Sequence, residues 1–163
     1  MKNIVITGAN RGIGLELTRL YSLNANVTAI CRQPSNELKK LSNVNIIDSV
    51  DLEDFDSIST GLTKCPDSVD ILINNAGVLD RVSLSSMDPI NIQKINYQFQ
   101  INALAPLIVI NQLLNNLSNS AKIALITSRM GSIDDNSSGS HYGYRMSKAA
   151  LNMAGKSLSI DLK

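Results

Sequence analysis

The chain has 163 residues, 44% hydrophobic and 18% charged, with a net charge of +1. That length supports one domain with a substantial core, and that composition excludes a disordered chain. A near-neutral balance without any run of Lys or Arg excludes a nucleic-acid partner and an anionic membrane surface.

Residues 4–7 predict a first strand, and Ile13, Leu17, Leu20 and Tyr21 follow it at helical spacing. Residues 26–31 predict a second strand, and Leu38 and Leu41 a short, weak helix. Val44–Ile47 predicts a third strand, with Phe55, Ile58 and Leu62 marking the helix after it. A fourth strand is expected over 69–73 and a fifth over 122–127, with a helical pattern in one piece or two over 92–117 between them. The polar stretch 132–140 leads to a long last helix from Tyr142, rich in Ala, Leu, Met and Lys. Unbroken apolar runs such as 71–73 and 123–126 belong to strands covered on both faces. Alternating strands and helices then imply an α/β fold, a Rossmann-type doubly wound parallel sheet of five strands. No repeat or linker divides residues 1–163, so one domain is expected. The chain enters its first strand without a signal-like apolar core, and its longest apolar stretch, 104–110, is interrupted by Pro106 and too short to span a bilayer. Cys31 and Cys65 lie far apart, form no metal-type pair and fit a reduced, cytoplasmic setting.

Thr7-Gly8-Ala9-Asn10-Arg11-Gly12-Ile13-Gly14 joins the first strand to the first helix. A phosphate can reach the N–H groups of a helix start only where no side chain obstructs it, and glycine permits both the tight turn and the approach. The helix start adds unpaired donors and a partial positive charge. The spacing is Gly-x-x-x-Gly-x-Gly rather than Gly-x-Gly-x-x-Gly, and in this it resembles the cofactor turn of the classical short-chain dehydrogenases/reductases.

An acidic residue after the second strand would bind the ribose 2′-hydroxyl of NAD. Cys31-Arg32 stands there instead, and Arg32 can hold a 2′-phosphate by charge-assisted hydrogen bonds, as can Arg11 in the turn. The cofactor expected is therefore NADP(H) in preference to NAD(H). Asp51-Leu52 resembles the family's adenine-contacting pair; Asp51 serves equally well as a helix cap before Phe55. Asn74-Asn75-Ala76-Gly77, closing the fourth strand, resembles the family's strand-stabilising motif. The resemblance implies a mainly structural Asn74, with Asn75, Ala76 and Gly77 at the cofactor.

Tyr144-Arg145-Met146-Ser147-Lys148 opens the last helix, and positions i and i+4 share a face. A free phenol with a pKa near 10 is a poor acid at neutral pH, and an adjacent ammonium favours its phenolate. That tuning suits general acid–base catalysis, whereas Tyr142 is off the Lys148 face. Ser128 ends the fifth strand, where ligands of α/β sheets bind, with Ser132 as the weaker alternative. Glycine turn, Asn-Asn-Ala-Gly, Ser and Tyr-x-x-x-Lys stand in the family's order, and the interval from Ser128 to Tyr144 is similar to that of its carbonyl-reductase and C-factor branch. The resemblance implies interconversion of a carbonyl and an alcohol by hydride transfer. In it Tyr144 is the acid/base, Ser128 polarises the carbonyl, Lys148 tunes Tyr144 and holds the nicotinamide ribose, and Asn102 supports a proton relay. No ligand cluster suggests a metal. Members of the family continue beyond this last helix with further strands and a substrate-covering segment, so the pocket here is expected to lack one wall. The alternative function is a non-catalytic NADP(H)-binding or regulatory protein. A homodimer through the long helices, 92–117 and 142–162, is also expected.

Overall fold

A computed structural model describes residues 1–163. Five strands, β1 (Asn3–Thr7), β2 (Asn26–Ile30), β3 (Val44–Ile47), β4 (Val69–Asn74) and β5 (Leu117–Leu125), pair in parallel in the order β3-β2-β1-β4-β5. The order reverses at β1, which is the switch of a doubly wound sheet. Six α-helices accompany them: α1 (Gly12–Tyr21), α2 (Asn36–Lys39), α3 (Phe55–Leu62), α4 (Pro89–Phe99), α5 (Ala105–Gln112) and α6 (Tyr142–Asp161). The residues group into two compact units, Met1–Ala76 with Ile108–Ile126, and Gly77–Leu107 with Thr127–Lys163.

The first unit holds the sheet. Ile4 and Ile6 of β1, Val27 and Ala29 of β2 and Ile73 of β4 form one core cluster with Leu15 of α1 and Leu38 of α2. Val5 and Leu72, which point the other way along their strands, are equally buried. Both faces of the sheet are therefore covered, and this is why its strands read as unbroken apolar runs. Each of the Ile, Val and Leu side chains among them contributes about 1.5–3 kcal/mol by leaving water. Helix α3 starts at Asp54, whose carboxylate accepts the Asp56 N–H. Asp51 is thus not the cap; its Oδ1 accepts the Glu53 N–H in a local turn. β5 begins at Leu117, ahead of the expected start, and its register on β4 shifts between Val69↔Leu117 and Ile71↔Lys122. Polar Ser118-Asn119-Ser120 hides that first half from a hydrophobicity reading.

The second unit holds α4 and α6. Asp88 caps α4 by accepting the Asn91 N–H, with Pro89 in the first turn. Proline there costs nothing, because that N–H has no partner inside a helix. α4 runs into a wide π-type turn, Gln100–Leu104, where the Ala105 N–H reaches back to the Gln100 carbonyl. Pro106 explains the turn: it cannot donate to the Asn102 carbonyl, and its ring collides with that carbonyl in a regular helix. α6 is entered through three successive left-handed residues, Gly139, Ser140 and His141, with φ of 60°, 55° and 53°.

Candidate active site

In the first unit the ends of β1 and β4 are locked together. Asn75 Nδ2 donates to the carbonyls of Thr7 (3.1 Å) and Gly8 (3.2 Å), and Thr7 Oγ1 accepts the N–H groups of Asn75 (3.1 Å) and Ala76 (3.2 Å). Gly8 has φ +65°, and an added Cβ would lie 2.8 Å from Ala76 Cα; at Gly14 an added Cβ would overlap the Gly8 carbonyl oxygen and Asn75 Nδ2. Those two glycines are required by the protein's own packing. Gly12 is different: φ is +52° and nothing lies within 4 Å of where its Cβ would be. Arg11, Gly12 and Ile13 are exposed, and α1 starts with no side-chain cap and no acidic residue in its first turn. Its leading N–H groups are therefore available to an anion, with the positive end of the helix behind them.

Arg32 is exposed just past β2. Its neighbour Cys31 is buried, and burial first, then the Asp48 carboxylate, raises its thiol above the ordinary range. Asn10, Asp51 and Leu52 are half-buried. Asn74 is 2% exposed, and neither atom of its amide has a hydrogen-bond partner, so the local bonding expected of this motif falls to Asn75.

The second unit carries Gly77, which is exposed, and all four residues singled out for catalysis. Lys148 is only 3% exposed, and desolvation lowers its pKa. Its Nζ stands 5.8 Å from the centre of the half-buried Tyr144 ring. Tyr142, off this face, is exposed. Ser147, fully buried between them in sequence, donates from Oγ to the Tyr144 carbonyl (2.9 Å) and accepts from Asn102 Nδ2 (3.0 Å). Asn102, also fully buried, accepts the Val78 N–H (2.8 Å) and donates to the Val78 carbonyl (2.9 Å). The π-type turn thus places the Asn102 side chain between the segment after β4 and the first turn of α6.

Ser128 is half-buried and its Oγ accepts the Met130 N–H (3.1 Å), opening the short turn Arg129–Gly131. Both flanks of Ser128 are tied to α6 through Asn152: Thr127 Oγ1 donates to Asn152 Oδ1 (2.6 Å), and Asn152 Nδ2 donates to the Gly131 carbonyl (3.4 Å). Gly131 presses on Lys148, where an added Cβ would stand 2.9 Å from the Lys148 carbonyl carbon. Ser132, the alternative, is exposed and accepts the Asp135 N–H. Asn102, Ser128, Tyr144 and Lys148 therefore sit on elements bonded to one another.

Sequence reading missed Gln98, Asn152 and Arg145. Gln98 is fully buried and lies one turn before Asn102 on the same face, the only signal it offered. Arg145 binds the loop before α6 through Ser138 Oγ (2.9 Å) and the Gly139 carbonyl (3.2 Å), side chain and backbone that spacing alone does not bring together.

The family model described as short chain dehydrogenase matches residues 2–163. Among curated proteins, a 1-hydroxy-2-glutathionyl-2-methyl-3-butene dehydrogenase of Rhodococcus sp. is 32% identical over 99% of this chain and 72% of its own length. The C-signal protein of Myxococcus xanthus is 47% identical over 61% of this chain and 60% of its own length. Among solved structures, the NADPH-bound carbonyl reductase from chicken fatty liver has a TM-score of 0.84 at 28% identity, covering 99% of this chain and 74% of that one. The carbonyl reductase Sniffer of D. melanogaster has a TM-score of 0.83 at 31% identity, covering 99% and 75%. The chain thus spans only part of the length of each relative.

Proposed function

The chain belongs to the short-chain dehydrogenase family, and from that premise we propose that it interconverts a carbonyl and an alcohol with NADP(H), using Tyr144 as the acid and base. The observation that carries the reading is the nearly buried Lys148 ammonium beside the Tyr144 ring. In this reading an ammonium on the same helix face as the phenol opposes the negative charge left when Tyr144 gives up its proton.

The residues present fit the dinucleotide. The uncapped start of α1, the side-chain-free space at Gly12 and the absence of an acid in the first turn suit a pyrophosphate. Arg11 and Arg32 are exposed cations suited to a 2′-phosphate, and the chicken carbonyl reductase whose fold this chain resembles was solved with NADPH bound. Asn10, Ile13, Asp51, Leu52, Asn75, Ala76 and Gly77 complete the proposed cofactor contacts. When bound, the reduced nicotinamide supplies the hydride.

In the direction of reduction, Ser128 Oγ donates to the substrate carbonyl oxygen, where negative charge develops. Tyr144 delivers a proton to that oxygen, with Lys148 opposing the charge left on the phenol. Lys148 also binds the nicotinamide ribose, and Asn102, whose carbonyl Pro106 cannot engage, supports the return of a proton through water. Met146, Met153 and Ile160 are exposed seven residues apart along α6. A stripe of this spacing supports a homodimer through the long helices, which light scattering would report as twice the chain mass.

Following NADPH oxidation with small ketones, aldehydes and quinones tests the proposal. Turnover with at least one class is expected, with NADPH preferred over NADH. Binding of NADPH with no turnover across the panel points instead to the regulatory reading.

A further inference from the structure

Residues 77–82 follow β4 without belonging to a strand, yet they behave as one. Gly77, Leu79 and Arg81 are exposed, Val78 and Asp80 are half-buried, and Val82 is buried. The inward N–H groups of Val78 and Asp80 are taken by side chains, Asn102 Oδ1 at 2.8 Å and Gln98 Oε1 at 3.0 Å. The match is geometric. Four residues of helix advance about 6 Å and two residues of extended chain about 6.6 Å, so amides at i and i+4 can serve alternate residues of a strand lying along the helix. Gln98 completes its bonding by donating from Nε2 to the Lys94 carbonyl (3.2 Å), and it is 0% exposed.

The same segment continues to α6. The Val82 carbonyl accepts the Tyr142 N–H at 3.3 Å. Gly143, the next residue, lies against Gln98 itself: an added Cβ would overlap Gln98 Nε2 and come within 3.0 Å of Ile95 Cα. Tyr144 follows, and its carbonyl returns through Ser147 Oγ to Asn102. Gln98 therefore holds the first turn of α6 twice, directly at Gly143 and indirectly through Asp80, Val82 and Tyr142.

We propose that Gln98 is a positioning residue for the reaction, its buried amide seating the turn that aims the Tyr144 hydroxyl. The proposal rests on the reading of Tyr144 as the acid. It separates from general packing because it assigns the effect to one acceptor atom, Oε1, rather than to volume.

Gln98→Met keeps the volume and removes both polar atoms; Gln98→Glu keeps an acceptor for Asp80 and, protonated by burial, a donor for Lys94. In Q98M, amide exchange at Asp80 and Tyr142 is expected to accelerate, and kcat to fall about tenfold to a hundredfold, the usual cost of slight misplacement, with the KM for NADPH little changed. Q98E is expected to restore both readouts toward wild type. Should Q98M not fold, Gln98→Asn, one methylene too short to reach Asp80, takes its place in the comparison. Unchanged kcat in a folded Q98M, unchanged exchange at Tyr142, or a Q98E as impaired as Q98M each overturns the proposal. If wild type turns over no carbonyl, the oxidoreductase reading fails, and the exchange comparison still decides whether Gln98 seats α6.

Discussion

Gly8 and Gly12 share a left-handed backbone but not a neighbourhood, and replacing each with alanine separates what the fold needs from what the ligand needs. Forcing a Cβ into the left-handed region costs about 1–2 kcal/mol. Gly12→Ala bears that term alone, because its methyl enters open space. Gly8→Ala adds a backbone collision with Ala76, where Cα would be 2.8 Å away and N 3.1 Å. Overpacking of that kind costs about 1–3 kcal/mol more. The expected losses are therefore about 2–5 kcal/mol for Gly8→Ala and about 1–2 kcal/mol for Gly12→Ala. In a domain stable by about 10 kcal/mol, the middle of the usual range, both still fold. Urea denaturation followed by circular dichroism would show both as lower midpoints at constant slope. NADPH titration should give the opposite ranking per kcal/mol lost: Gly12→Ala, the milder of the two for the fold, places its methyl where a phosphate would approach. Equal destabilisation by the two substitutions would refute the packing argument, and undiminished NADPH affinity in Gly12→Ala would refute the placement of the pyrophosphate.

Lys148 makes stability depend on pH in a direction that can be checked. Its folded pKa lies below the ordinary 10.5, so between the two values the unfolded chain holds a proton that the folded chain has released. Stability contributed by this site therefore rises with pH across that alkaline window, and in Lys148→Met the urea midpoint should lose that rise. A slope unchanged in Lys148→Met would contradict it. Cys65, whose thiol burial pushes up to about 11, should be alkylated at neutral pH about a hundredfold more slowly than an exposed cysteine, by thiolate fraction alone. Labelling at the free-thiol rate would show that the site opens. Arg32→Asp should shift cofactor preference from NADPH toward NADH, measured as a ratio of kcat/KM values. An unchanged ratio would remove Arg32 from the 2′-phosphate site.

Much of the sheet was legible because buried parallel strands must be apolar throughout; Ile4, Val5 and Ile6 could hardly belong to anything else. β5 was legible only where it is apolar, since Ser118, Asn119 and Ser120 carry no burial signal. The interruption between α4 and α5 was hinted at by Pro106, but a π-type turn changes the helical period too little to register in side-chain spacing. Caps are a near-tie of chemistry: Asp51 and Asp54 are the same side chain three residues apart, and backbone geometry chose Asp54. The residues of the candidate site that spacing could reach were those on one helix face, Tyr144 and Lys148. Gln98 and Asn152 bind partners at a distance along the chain, Asp80, Thr127 and Gly131, and no local pattern announces such pairings.

The most direct measurement is single-site: turnover and NADPH affinity of Tyr144→Phe beside wild type. Removing one oxygen leaves the ring on Lys148 in place, so NADPH should bind with nearly unchanged affinity while kcat falls by about 10²–10⁴-fold, the range of general acid–base catalysis. A phenylalanine variant that reduces carbonyls at the wild-type rate, or one that loses NADPH binding in proportion to its activity, would contradict the role given to Tyr144.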